Sequence, residues 1–285
     1  MRSLRDYRSI VLVRPERAVC RLSMAHSQGL RSIGALVALA LLLFIGQVWA
    51  EQPMKPLAPD CAALRRSLTP GDLSRTAERV RKGVLLVLAI GSSSTSGVGT
   101  SSPEEAYPAR LERELKLFVP GLDVRVVASG VGGETATETL ARLVNQVAAL
   151  KPHLVIWQVG TNDALSEGGE DQFRSLVERG VAAVIDTGAD LILLNQQFFP
   201  GITKKERYER FVDIVREVGL RHHASIFGRY EMMKDWAGAS NDGFRAMLAT
   251  DAFHMSDRGH ACMARILSDE IVDAAQRATL TPEIQ

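Results

Sequence analysis

From residue 84 onward, short apolar runs alternate with longer amphipathic stretches, and that alternation restricts the fold of these 285 residues more than any other feature. The runs predict strands over about 84–90, 122–128, 153–159, 190–195 and 224–227. The stretches between and beyond them predict helices over about 104–117, 135–150, 170–187, 204–220 and 258–276. In 135–150, Leu140, Leu143, Val144, Val147 and Leu150 recur at helical spacing and make one apolar face. A strand that is apolar throughout, such as Val84–Leu88, is one buried on both faces. Regular strand-helix alternation then implies a parallel sheet covered on each side by right-handed crossovers. The expected architecture is α/β, a three-layer α/β/α sandwich around a central, mostly parallel five-stranded sheet. It occupies residues 83–278 and follows a lead-in over 51–82 that carries proline and a short charged helix, Leu73–Lys82. No internal repeat or low-complexity block interrupts it.

In open sheets of this kind the ligand crevice lies at the carboxyl ends of the strands. After Val84–Leu88 comes Ala89-Ile90-Gly91-Ser92-Ser93-Ser94-Thr95-Ser96-Gly97, which reads either as a Ser/Gly linker or as a tight turn that exposes a serine nucleophile. After Val124–Val127 comes Gly130-Val131-Gly132-Gly133-Glu134-Thr135, and after Leu154–Val159 comes Gly160-Thr161-Asn162-Asp163; near the end stands Asp251-Ala252-Phe253-His254. Taken singly, the second is an ordinary strand-to-helix turn and Asn162 a helix cap. Taken in order, Ser, Gly, Asn and Asp-x-x-His resemble the SGNH (GDSL-like) hydrolase family, from about residue 84 to 275.

The resemblance implies an SGNH hydrolase-like, flavodoxin-like fold and gives each block a role. Ser93 would attack an ester carbonyl, His254 would take its proton, and Asp251 would hold the imidazole. The backbone N–H groups of Ser93 and Gly133 and the side-chain amide of Asn162 would form the oxyanion hole, with Gly133 small so that the backbone can approach the substrate. No metal and no cofactor are implied. His153, His222, His223 and His260 read as surface or core histidines. Two positions depart from the family pattern: Ser92 stands where Asp is commonest, and Ala128 where Asn often opens the second block. Asp163, Gln196, Gln197, Phe198 and Phe199 follow strand ends, and read either as lining for the acyl or alcohol site or as surface polar groups and core aromatics. The implied function is an exported serine esterase that hydrolyses short acyl esters of a small molecule or a glycan. The alternatives are an O-acyltransferase of the same fold and a non-catalytic protein that binds envelope polysaccharide. The full Ser, Gly, Asn, Asp and His set disfavours the last, since a binding module needs no nucleophile with its base.

Export is expected from the N-terminal 50 residues. Ile33–Val48 is almost wholly apolar, follows Arg31 and ends Val48-Trp49-Ala50, a small-residue cleavage pattern. Residues 1–50 thus read as a leader with a signal peptide starting at Met24, or as an anchor that attaches the protein to a membrane through residues 33–50 if uncleaved. Either way the domain is expected to be periplasmic or secreted. The leader holds seven arginines against Asp6 and Glu16, so of 34 basic and 33 acidic residues 27 and 31 remain, near −4. A mildly acidic domain with no basic cluster argues against nucleic acid as a partner. Beyond Cys20 the chain has two cysteines, Cys61 and Cys262, able to pair in an oxidising compartment and not spaced as metal ligands.

Overall fold

Along β2 (Val84–Gly91), Leu85, Val87 and Ala89 pack into one core while Leu88 and Ile90 pack into another, and all five are buried. The same alternation divides β4 (Leu154–Gln158), with Leu154 and Ile156 on one side and Val155 and Trp157 on the other. β5 (Asp190–Leu194) repeats it. A strand with side chains every two residues on opposite faces fills two cores only if every position is apolar. That is the physical reason for the continuous runs.

The computed structural model describes Cys61 and residues 68–280, all within the unit Met54–Gln285. The leader over 1–50, the start at Met24, the anchor over 33–50 and most of the lead-in lie outside the described residues. β3 (Asp123–Gly130) and β6 (Ser225–Phe227) complete five parallel strands in the order β3-β2-β4-β5-β6. A sixth strand, β1 (Leu68–Thr69), was not expected from the sequence. It runs antiparallel to β6, with Leu68 opposite Phe227 and Thr69 opposite Ile226.

Helices α1 (Ser74–Arg81), α3 (Tyr107–Phe118) and α10 (Asp257–Leu280) cover one face of the sheet. Helices α4 (Ala136–Leu150), α6 (Glu170–Ile185) and α7 (Lys205–Arg221) cover the other. The three-layer sandwich is therefore as expected. Two short helices, α2 (Ser93–Ser96) and α5 (Thr161–Leu165), follow β2 and β4, and α8 (Arg229–Ala239) and α9 (Asn241–Met247) follow β6. Cys61 and Cys262 form a disulfide across 201 residues, with Cα atoms 5.4 Å apart. Among the described residues no helix is long and apolar enough to cross a membrane.

The strand order reverses at β2, whose neighbours are β3 on one side and β4 on the other. The loops after β2 and β4 therefore open side by side at the place where such sheets hold their ligands.

Candidate active site

The turn after β2 is fixed by Gln158 and Gly91. Gln158, the last residue of β4 and itself buried, accepts hydrogen bonds through Oε1 from Ser92 N–H (2.8 Å) and Ser92 Oγ–H (3.0 Å). Gly91 lies against that amide: a Cβ there would stand 2.7 Å from Oε1. Helix α2 is a single turn, ended by Gly97 in the left-handed conformation at φ 87°. Ser93 opens it, so its N–H is among those that a helix leaves without an internal partner. The missing family aspartate at Ser92 is thus replaced by a hydroxyl held through Gln158.

Ser93 is half-buried, and its Oγ lies 3.0 Å from His254 Nε2. His254 Nδ1 lies 2.6 Å from Asp251 Oδ2. The other carboxylate oxygen, Oδ1, accepts the backbone N–H groups of Phe253 and His254, each at 2.9 Å. Burial pushes the Asp251 carboxyl up, but the His254 ring and these two amides outweigh it and hold the group below its ordinary value. The tight Asp-x-x-His loop passes through Ala252 at φ 53°, a conformation that alanine rarely adopts. Phe253 stacks edge-on against His254, with ring centroids 4.7 Å apart.

Asn162 is on α5, and its Nδ2 donates to Glu134 C=O at 2.7 Å, which leaves the amide its second proton. Gly133 is exposed with φ 82°, and no described atom lies within 4 Å of where its Cβ would sit. The backbone conformation alone requires glycine there. Arg142 ties this turn to the sheet. Its guanidinium pairs with Glu134 and donates to Ser129 C=O (3.2 Å) and to Gly91 C=O (3.0 Å). Among the described residues neither Asn162 nor Gly133 is hydrogen-bonded to Ser93; Glu134 links the Asn162 amide to the turn that carries Gly133, and Arg142 links that turn to the end of β2.

The residues expected to line the site are mostly its scaffold. Asp163 is buried and its two oxygens accept Ala136 N–H at 2.9 and 3.1 Å, capping α4, while burial raises its pKa to about 6. Gln196 is wholly buried against Gly160, with neither amide atom hydrogen-bonded to a described residue. Gln197 donates to Phe253 C=O at 2.9 Å. Phe199 packs on Tyr208 and Phe253, and Phe198 on Tyr230 and Phe244. The residues after β5 are buried by helices α7 to α9, so they support the loops instead of facing a ligand. Of the other histidines, His153 accepts Leu86 N–H at 2.9 Å, and His260 is buried, accepts Tyr107 N–H at 3.1 Å and is driven down to about 3 by burial. His223 carries a left-handed turn after α7.

Arg229, Arg142 and Gln158 have no counterpart in the sequence reading. Only Gln158 left a trace, as a polar residue within the apolar run Leu154–Val159.

Comparison with known proteins gives the family and the fold. The model of a family described as the non-GDSL lipase-like family matches residues 60–277. Over 137 residues the chain is 28% identical to esterase TesA of Pseudomonas aeruginosa, a stretch that covers 48% of this chain and 67% of that one. Among solved structures, a lipase/acylhydrolase from Enterococcus faecalis matches 68% of this chain and 96% of its own, at TM-score 0.58 and 22% identity. A two-domain esterase active on acetylated mannans, solved with mannopentaose, matches 73% of this chain and 55% of its own, at TM-score 0.58 and 20% identity. The last two likenesses are of fold, and they bear out the expected SGNH-like architecture.

Proposed function

Because the chain belongs to the non-GDSL lipase-like family, we propose that it is an exported serine esterase acting on short acyl esters through Ser93, His254 and Asp251. The observation that carries the reading is the pair of contacts at 3.0 and 2.6 Å that joins the three side chains. Ser93 Oγ adds to the ester carbonyl as His254 Nε2 takes its proton. The carbonyl oxygen becomes an oxyanion, for which Ser93 N–H, Gly133 N–H and the second Asn162 proton are the available donors. Collapse expels the alcohol, protonated by His254, and leaves an acyl-enzyme. Water then attacks with His254 again as base, and releases the carboxylic acid and Ser93. Asp251, ionised and held by two backbone amides, keeps Nδ1 protonated and Nε2 free to accept.

Export is supported by the apolar stretch Ile33–Val48 and by the Cys61–Cys262 disulfide, which belongs in an oxidising compartment. The exposed Gly133 turn supports an ester presented on a larger body, and an acetylated glycan fits that description. The test is hydrolysis of p-nitrophenyl acetate and of acetylated oligosaccharides. S93A and H254A are expected to lose activity by at least about 1000-fold while melting cooperatively. Full activity in either variant rules the mechanism out.

A further inference from the structure

Arg229 is the only lysine or arginine among the described residues that is fully withdrawn from solvent. Everything its guanidinium touches is neutral: Nε donates to Asn195 C=O (3.1 Å), Nη1 to Ser94 Oγ (2.8 Å) and Nη2 to Thr161 Oγ1 (3.3 Å). The titratable groups that act on it, Tyr107 and Tyr208, are held protonated by burial, and His260, on which it acts, is held neutral by burial. Glu231, two residues along, is turned to Asn195 Nδ2. The arginine also opens α8, where the helix dipole opposes a cation. A buried, unpaired charge at the wrong end of a helix is destabilising and so is a poor device for stability.

What it contacts gives the reason. Ser94 follows Ser93, and Thr161 precedes Asn162. The third link runs through Ser94 Oγ–H to Gln197 Oε1 (3.2 Å) and from Gln197 Nε2 to Phe253 C=O (2.9 Å), the residue before His254. Donors and acceptors alternate correctly along that path, so one guanidinium fixes the neighbour of each reacting group.

We propose that Arg229 is the positioning residue that holds Ser93, Asn162 and His254 in register, and that its unbalanced charge favours the oxyanion formed on Ser93. The inference rests on the serine esterase reading. It predicts a defect in turnover and not in substrate binding, since no Arg229 atom faces solvent.

The test uses purified full-length protein, R229M, R229K, S94A and the R229M/S94A pair. Two readouts are taken: kcat and KM with p-nitrophenyl acetate, and the rate at which a fluorophosphonate modifies Ser93, followed by mass spectrometry. R229M is expected to lose about 100-fold in kcat and in labelling rate, with KM within about threefold. R229K, which keeps the charge without the three-way fork, recovers part of the loss. S94A falls in the same direction, and the double variant falls no further than R229M alone. Wild-type rates in R229M, or losses that multiply in the double variant, overturn the proposal. Should R229M not melt cooperatively, S94A decides, because it leaves the cation in place; wild-type rates in S94A are then fatal. Wild-type protein that is neither labelled nor active removes the esterase reading first, and this inference with it.

Discussion

Asn162 spends one amide proton on Glu134 C=O and has a second for the proposed oxyanion, so N162A removes that donor and also frees the Gly133–Glu134 turn. Loss of about 100- to 1000-fold in kcat is expected, the range for a single oxyanion donor; a KM defect alone would argue that Asn162 binds and does not stabilise charge. Next to it, Asp163 has its pKa raised to about 6 by burial. A carboxyl raised in the folded state binds more protons there than when unfolded, so this group makes stability fall as pH rises from about 4 to 6. In D163N that slope should flatten, which thermal melts across pH 4–7 would register. The proposed site residues could be picked out in sequence because Ser93, Gly133 and Asn162 each follow a strand and Asp251 and His254 stand just ahead of the last helix. Arg229 was not, since an arginine opening a helix reads as an exposed charge, and only its burial and its three acceptors say otherwise.

At the scale of elements, the short helix α2 packs against the carboxyl end of β3. A Cβ on Gly130 would stand 2.0 Å from Ser96 N and 2.5 Å from Thr95 C, both backbone atoms that cannot rotate aside. G130A therefore has to push the nucleophile turn off the sheet. We expect at least about 2 kcal/mol of destabilisation in urea, together with loss of activity. An unchanged urea midpoint would mean that the turn shifts freely. The inner strands β2, β4 and β5 were readable because burial on two faces leaves an unbroken apolar run, and the crossover helices because burial on one face leaves a helical stripe. β1 has two residues, too few for any period. In α8 the buried Arg229, Met232, Met233 and Trp236 do stand at helical spacing, but a charged residue opens that stripe, so it does not read as an apolar face.

For the molecule as a whole, the Cys61–Cys262 bridge encloses nearly every described residue. Closing a loop of 201 residues restricts the unfolded chain, and C61S/C262S is expected to lose about 2–5 kcal/mol in urea unfolding. A difference within error would show that the bridge adds no net stability. The same bridge has a mechanical meaning. A pull on the chain ahead of residue 61 passes through sulfur into α10, the longest helix, before it can reach β1. The two-residue strand at the sheet's edge, which would otherwise be the first to peel, is shielded from the load, and the crevice at the strand ends keeps its shape while the N-terminus is under tension.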